Sequence, residues 1–407
     1  MPPPDVLDLD ALGPEFTSDP YRYYAEINRS GGVHRARVAG LDAWLITGFD
    51  TVRQALSDRR LSVDSTCAKP SLRSHPLVIG EQALGLGAHM QRADPPQHAR
   101  LRRMASPMFD PARLDTLRQQ AQRITDELMA AFLPTGRAEL INDLALPLPA
   151  VLVTELLGLP VAERPAVSRW IRDSMSGPAS DPARIVAHTR IKNYLADLVD
   201  DKLHHHTPQR DDDDLLAALI AADDVAPSRD ELVSLAWVLL VAGNETTSSL
   251  IGNGTLALLR HPDQLAALRA DPNRIGPAIQ ELMRYDGPVK IVAPRYTTEE
   301  IVVDGTTIPA GEPVLIALAS TGRDPAKYPD ADTLDIGRNP VGHLAFSHGT
   351  HFCPGVTLGP AIAEIAFRSL LDNCPDLALA VEPTDIVWRG STFMRIPLRL
   401  PVTFTPA

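Results

Sequence analysis

Apolar residues recur three and four positions apart over long stretches of this chain. That spacing predicts helices over residues 112–133, 146–158, 186–204, 228–260, 275–285 and 356–372. Short runs with strand character lie at Ala43–Ile46, Ile301–Val303, Val314–Ile316 and in the tail after Asp385. Helices in the majority beside a small segregated β part predict a mainly α fold. No linker or repeat divides residues 1–407, so a single domain is expected. The segment 228–260 has a pattern of its own. Ser228 and Glu231 have the spacing of a capping box, in which each side chain bonds the other's backbone N–H. From Leu232 to Val241 apolar residues fall on nearly every face, as in a helix buried all round. At about 1.5 Å rise per residue, such a helix crosses a whole globular protein. The pattern then breaks at Ala242-Gly243-Asn244-Glu245-Thr246-Thr247. An amide, a carboxylate and two hydroxyls within a buried helix carry a desolvation cost, and chemistry is the expected compensation. The acidic run Asp211–Asp214 reads as the solvated start of another helix, where carboxylates favour the positive end of the dipole.

Composition narrows the function classes. With 407 residues and 44% hydrophobic content, the chain has material for a large core. A net charge of −12 argues against a general nucleic-acid binder, which needs a basic face. Cys67, Cys353 and Cys374 are too few and too scattered for a disulfide framework, and no C-x-x-C spacing points to zinc. A reducing, cytoplasmic location is therefore expected. The start, Met1-Pro2-Pro3-Pro4-Asp5, shows no signal peptide, and no uncharged run approaches the ~20 residues of a membrane span.

The strongest chemical signal is Phe346-Ser347-His348-Gly349-Thr350-His351-Phe352-Cys353-Pro354-Gly355. Taken alone, a cysteine before a helix is most often a small buried hydrophobe. Here two glycines let the backbone turn tightly near a flat ligand. A helix is expected to begin at the cysteine, where free N–H groups and the dipole lower a thiol's pKa. In this segment the chain resembles the cytochrome P450 superfamily, whose haem loop reads F-x-x-G-x-H-x-C-x-G. Phe346, Gly349, His351, Cys353 and Gly355 stand in register with it. The resemblance implies the P450 fold, with a long central helix over the haem. It also implies haem b (iron protoporphyrin IX) as cofactor and Cys353 as the axial ligand to the metal.

Further segments agree in the right order. Glu281-Leu282-Met283-Arg284 matches the family's E-x-x-R. On its own it would be an ordinary surface ion pair, three apart on one helical face. By resemblance it is buried behind the haem and braces the cysteine loop. The family often adds an arginine downstream; Thr333 stands at that position, and Arg338 is the candidate substitute. His98 and Arg102 match H-x-x-x-R, four apart on one face, and with Arg295 and His351 occupy the family's haem-propionate positions. The broken centre of the long helix matches [AG]-G-x-[DE]-T-T. There Gly243 is expected to open the helix toward dioxygen, and Glu245 and Thr246 to form the acid–alcohol pair that delivers protons.

The implied activity is that of a haem-thiolate monooxygenase. It would insert one oxygen atom from O2 into a C–H bond (hydroxylation or epoxidation) of an apolar small molecule. No flavin or iron–sulfur segment is present, so a ferredoxin with its NAD(P)H-dependent reductase is the implied electron source, docking at Arg100 and Arg103. The stretch His261–Leu268 resembles actinobacterial enzymes that tailor macrolides and other natural products. Two alternatives stand beside this one: a peroxide-driven peroxygenase, which the Glu245–Thr246 pair disfavours, and a non-catalytic haem protein docking a carrier protein. Expected pocket walls are residues 66–90 and 165–190, Val238–Ala242, Ile291-Val292 and Phe393-Met394.

Overall fold

The computed structural model describes residues 6–87, 89–175, 181–205, 214–220 and 227–406. Residues 211–213 of the acidic run, and residues 88 and 176–180 of two expected pocket walls, lie outside the described residues. The strands are β1 (Leu7–Asp8), β2 (Val33–Val38), β3 (Leu41–Ile46), β4 (Leu61–Ser62), β5 (Arg137–Glu139), β6 (Arg295–Thr297), β7 (Ile301–Val303), β8 (Thr306–Ile308), β9 (Pro313–Ile316), β10 (Ala378–Leu379) and β11 (Pro401–Thr403). The described residues group into two compact units, both discontinuous in sequence. One is built from Met1–Gly80, Gly252–Cys353 and Val381–Arg399, the other from Glu81–Ile251, Pro354–Ala380 and Leu400–Ala407.

The first unit holds a six-stranded sheet in the order β1-β2-β3-β9-β6-β4 and the hairpin β7-β8. The second holds the antiparallel sheet β10-β11-β5. The small β part expected is thus divided among three sheets. Strand β9 shows why the large sheet is stable at its centre. Val314 and Ile316 pack into one hydrophobic cluster with Ile46, whereas Leu315 packs into another with Ala43 and Leu45. Both faces are covered, so the two-residue period sorts side chains between two cores rather than between core and water.

All six predicted helices are present, as Pro111–Phe132, Pro147–Leu156, Pro182–His205, Arg229–Arg260, Ile275–Asp286 and Leu358–Asn373. Shorter helices include Pro20–Asn28, Phe49–Ser57, Gln97–Ala105, Arg164–Met175 and Pro262–Ala270. Two or three turns give the helical period little length in which to show. In the second unit, Pro111–Phe132 is tied to Leu358–Asn373 by Arg118–Glu364 (2.8 Å) and by Gln122 Nε2 donating to Ser369 Oγ (3.2 Å). Asp214 caps Leu215–Ile220 by accepting from Ala217 N at 2.9 Å, and it also pairs with Lys202 at 2.7 Å. No helix among the described residues is long and apolar enough to cross a membrane.

The first unit is braced from Ile275–Asp286. Glu281 and Arg284 are fully buried and joined by two parallel bonds of 2.7 Å. Arg284 also donates to the carbonyls of Gly322, Ala331 and Thr333. Thr333 therefore contributes its backbone only. Arg338 supplies the third arm, with Nε 3.3 Å from Glu281 Oε1, and Asp335 N donates to the same oxygen at 3.0 Å. Gly322 is obligatory, because a Cβ there would lie 2.0 Å from the Arg284 carbonyl oxygen. Removing one partner of a buried ion pair strands the other and costs about 3–5 kcal/mol. Arg284→Met is expected to lose that much in denaturant unfolding. Arg338→Met, which leaves the Glu281–Arg284 pair intact, is expected to lose roughly 1–3 kcal/mol. Equal losses in the two variants would show that Arg338 is as central as Arg284.

Candidate active site

The first unit carries the cysteine loop. Cys353 N donates to Phe346 O at 2.9 Å, closing a turn in which Ser347 (φ 67°) and Gly349 (φ 71°) are left-handed. A Cβ on Gly349 would meet Leu56 O at 3.0 Å. The same carbonyl accepts from Nη1 of buried Arg295 on β6, at 3.1 Å. One backbone oxygen at the end of Phe49–Ser57 therefore abuts the cysteine loop and steadies Arg295. Leu56 gave no signal in the sequence, since it acts through a group that every residue has. His351 ends the short turn Gly349–His351 and, like Cys353, is half-buried. The helix expected at the cysteine begins instead as a 3₁₀ turn, Pro354–Val356, with the α-helix starting at Leu358. None of the three cysteines is in a disulfide.

The second unit carries the other predicted residues. His98 is buried and Arg102 half-buried on one face of Gln97–Ala105. Burial first, and then the Arg102 charge, hold the His98 imidazole below its usual pKa. On the same helix Arg100 is paired in bidentate fashion with Glu231 while keeping 40% of its side chain exposed, and Arg103 is exposed. Glu231 also completes the predicted capping box, accepting from Ser228 N at 2.9 Å while Ser228 Oγ accepts from Glu231 N at 3.3 Å.

The helix Arg229–Arg260 is α-helical without interruption, so the opening expected at Gly243 is absent. What changes mid-helix is burial. Leu232–Leu240 and Thr247–Leu258 are buried throughout, but between them Val241, Ala242, Gly243, Glu245 and Thr246 are half-exposed. No described atom outside the helix's own local backbone comes within 4 Å of a Cβ placed on Gly243. The hydroxyls of Thr246, Thr247, Ser248 and Ser249 each donate to the carbonyl four residues back, at 2.8–2.9 Å. Their donor needs are met inside the helix, which lets polar residues sit in an apolar setting at reduced cost.

These donor sets fit an iron porphyrin. The first unit offers a thiol for a soft metal, with an imidazole and a buried guanidinium for carboxylates; the second offers an imidazole and a guanidinium of the same kind.

Residues 178–376 match the family model for cytochrome P450. Over 98% of its length the chain is 43% identical to cytochrome P450 monooxygenase PikC of Streptomyces venezuelae, covering 94% of that protein. It is 37% identical to 6-deoxyerythronolide B hydroxylase of Saccharopolyspora erythraea, covering 97% of this chain and 99% of that one. The solved structure of tirandamycin C-bound P450 monooxygenase TamI superposes with a TM-score of 0.87 at 38% identity, covering 98% of this chain and all of that one. The chain belongs to the cytochrome P450 family. It is a haem b monooxygenase of the P450 fold, acting on an apolar substrate with electrons from a redox partner.

This P450 supports its cysteine loop with a neutral histidine. His343 Nδ1 accepts from Ala345 N at 3.3 Å, so Nε2 carries the hydrogen and donates to Gln280 Oε1 at 3.1 Å. Burial, reinforced by Arg284, lowers its pKa from 6.5 to about 4. Between those values the unfolded chain binds a proton that the folded one refuses. Stability is thus fully present above pH 6.5 and declines as pH falls toward 4, by about 3 kcal/mol in total. Unfolding curves across this range should show the decline, and His343→Gln should flatten it. A variant that retained the full slope would assign it to other groups.

Proposed function

We propose that this P450 hydroxylates an apolar natural product of polyketide or macrolide type, with Cys353 as the thiolate that would hold the haem iron. His98, Arg102, Arg295 and His351 then hold the haem carboxylates, and Glu245 and Thr246 form the proton path. The observation that carries the reading is that Val241, Ala242, Gly243, Glu245 and Thr246 are half-exposed between two buried stretches of one helix. Small and apolar residues there leave room beside the helix, and the acid and alcohol stand next to that room. When bound, haem b activates dioxygen so that one oxygen atom reaches the substrate and the other leaves as water.

Within the chain, Thr246 can accept a proton on its oxygen while passing on the one it now gives to the Ala242 carbonyl. Glu245 reloads it, being partly exposed. The substrate class is supported by the relatives named 6-deoxyerythronolide B hydroxylase and polyketide biosynthesis cytochrome P450 PksS, and by the TamI complex with tirandamycin C. Electrons come from a ferredoxin and its reductase, docking on the face that carries Arg100 and Arg103. The two units are interleaved along the chain, each assembled from three segments, which supports one catalytic domain over residues 1–407. A cytoplasmic location agrees with three cysteines outside any disulfide.

Reduced protein with carbon monoxide is expected to show the Soret band of thiolate-ligated haem. Cys353→Ala should abolish it, and Cys67→Ala and Cys374→Ala should leave it; the reverse pattern would remove Cys353 from the metal. For the proton path, Thr246→Ala should bind haem and substrate normally yet divert electrons to hydrogen peroxide. Loss of one positioned proton-transfer group slows the step it serves by about 10²–10⁴. An unchanged ratio of product formed to NADH consumed would exclude Thr246 from that step.

A further inference from the structure

A cleft of about 190 Å³ in the first unit is lined by Arg260, Arg323, Arg395, Asp19, Asp286 and His261, among others. That is room for about a dozen waters. None of these residues is assigned a part in oxygen chemistry, and their charges do not balance. Arg395 is spent internally, pairing with Asp286 and donating to Thr17 O (2.8 Å) and Ser18 O (3.0 Å). Asp286 also accepts from Tyr21 Oη at 2.6 Å, and Asp19 accepts from Tyr21 N at 3.2 Å. Near Arg395 and Asp286 lies Lys290, fully buried, its Nζ without a hydrogen-bond partner and facing the Phe16 ring at 5.0 Å. Burial, with Arg395 and Arg389 close by, lowers its pKa to about 7. The neighbourhood holds more cations than carboxylates, and the buried amine gives way.

Two guanidiniums on the cleft are only partly used. Arg323 is clamped between the rings of Tyr21 and Tyr285, 3.8 Å from each centroid, and its Nε donates to Tyr285 O at 2.9 Å. Its nearest carboxylate, Asp332, is 3.7 Å away and largely exposed. Arg260 donates to the Pro383 carbonyl, with no carboxylate in ion-pair range among the described residues. A helix C-terminus accounts for Arg323 Nε, but not for the remaining N–H groups.

We propose that this cleft binds a phosphate-type oxyanion, either free or as the monoester of a small metabolite. A phosphate presents enough acceptor oxygens for both forks at once, which a single carboxylate does not. Arg323 is already immobilised by the two rings, so little side-chain entropy is lost on binding. Charge balance around Arg260, Arg395 and Lys290 improves with the anion in place.

Thermal unfolding of the haem-loaded full chain tests this, comparing inorganic phosphate and phenyl phosphate with chloride at equal ionic strength. Saturating phosphate or monoester is expected to raise Tm by about 2–4 °C over chloride. Arg260→Gln should weaken binding at least tenfold. Arg323→Lys, which keeps the charge but loses the fork, should do the same with the carbon monoxide band unchanged. Tighter binding of phenyl phosphate identifies a phosphorylated metabolite as the ligand type, and equal binding identifies free phosphate. No shift over chloride in the unmodified protein, or undiminished affinity in both variants, overturns the proposal.

Discussion

A carboxylate with no exposed surface must be saturated with donors, and Glu281 is the point at which this P450 meets that demand. Its oxygens take two bonds from Arg284, one from Arg338 and one from the Asp335 amide. Arg284 in turn reaches the carbonyls of Gly322, Ala331 and Thr333. An irregular stretch of chain is thereby pinned to one helix by charge-assisted bonds in a dry setting, where losing either Glu281 or Arg284 leaves a buried charge uncompensated. That stretch leads directly into the loop of Cys353. The thiol's position thus depends on an ion pair that never touches it.

The long helix obeys a second constraint. A helix buried on all sides has no solvent to satisfy polar side chains, so each hydroxyl in its middle turns back on its own backbone. This economy lets Glu245 and Thr246 occupy the half-exposed stretch in the middle of the helix. At its start, Glu231 serves the cap and Arg100 together. A residue readable as a local capping signal is also the anchor for the helix that bears His98 and Arg102. Arg100, though held by Glu231, still shows 40% of its side chain at the surface.

Much of this was legible in the sequence because the informative features are local. The capping box, the three-residue spacing of Glu281 and Arg284, and the four-residue spacing of His98 and Arg102 are all fixed by helical geometry. The long helices showed for the same reason, their period having many turns in which to repeat. The cysteine loop was readable from its side chains and glycines, and Arg338 from its nearness to the position held by Thr333. The 3₁₀ turn after Cys353 and the unbroken helix at Gly243 were not, because both depend on which backbone bonds win once packing is complete.

By itself, then, the sequence determined which side chains could carry this chemistry and which helices present them. Spacing along one helix or turn is a property of the chain alone. Tertiary structure decided what holds those side chains still: the Leu56 carbonyl shared by the cysteine loop and Arg295, the three carbonyls on Arg284, and the partition of β9 between two cores. It also decided that Arg323 would be clamped between two tyrosines and that Lys290 would be buried without an acceptor. Every residue carries the same carbonyl and amide, so a contact made through backbone leaves no mark on residue identity. Burial of a charge is likewise a property of what packs around it, and only the folded chain specifies that.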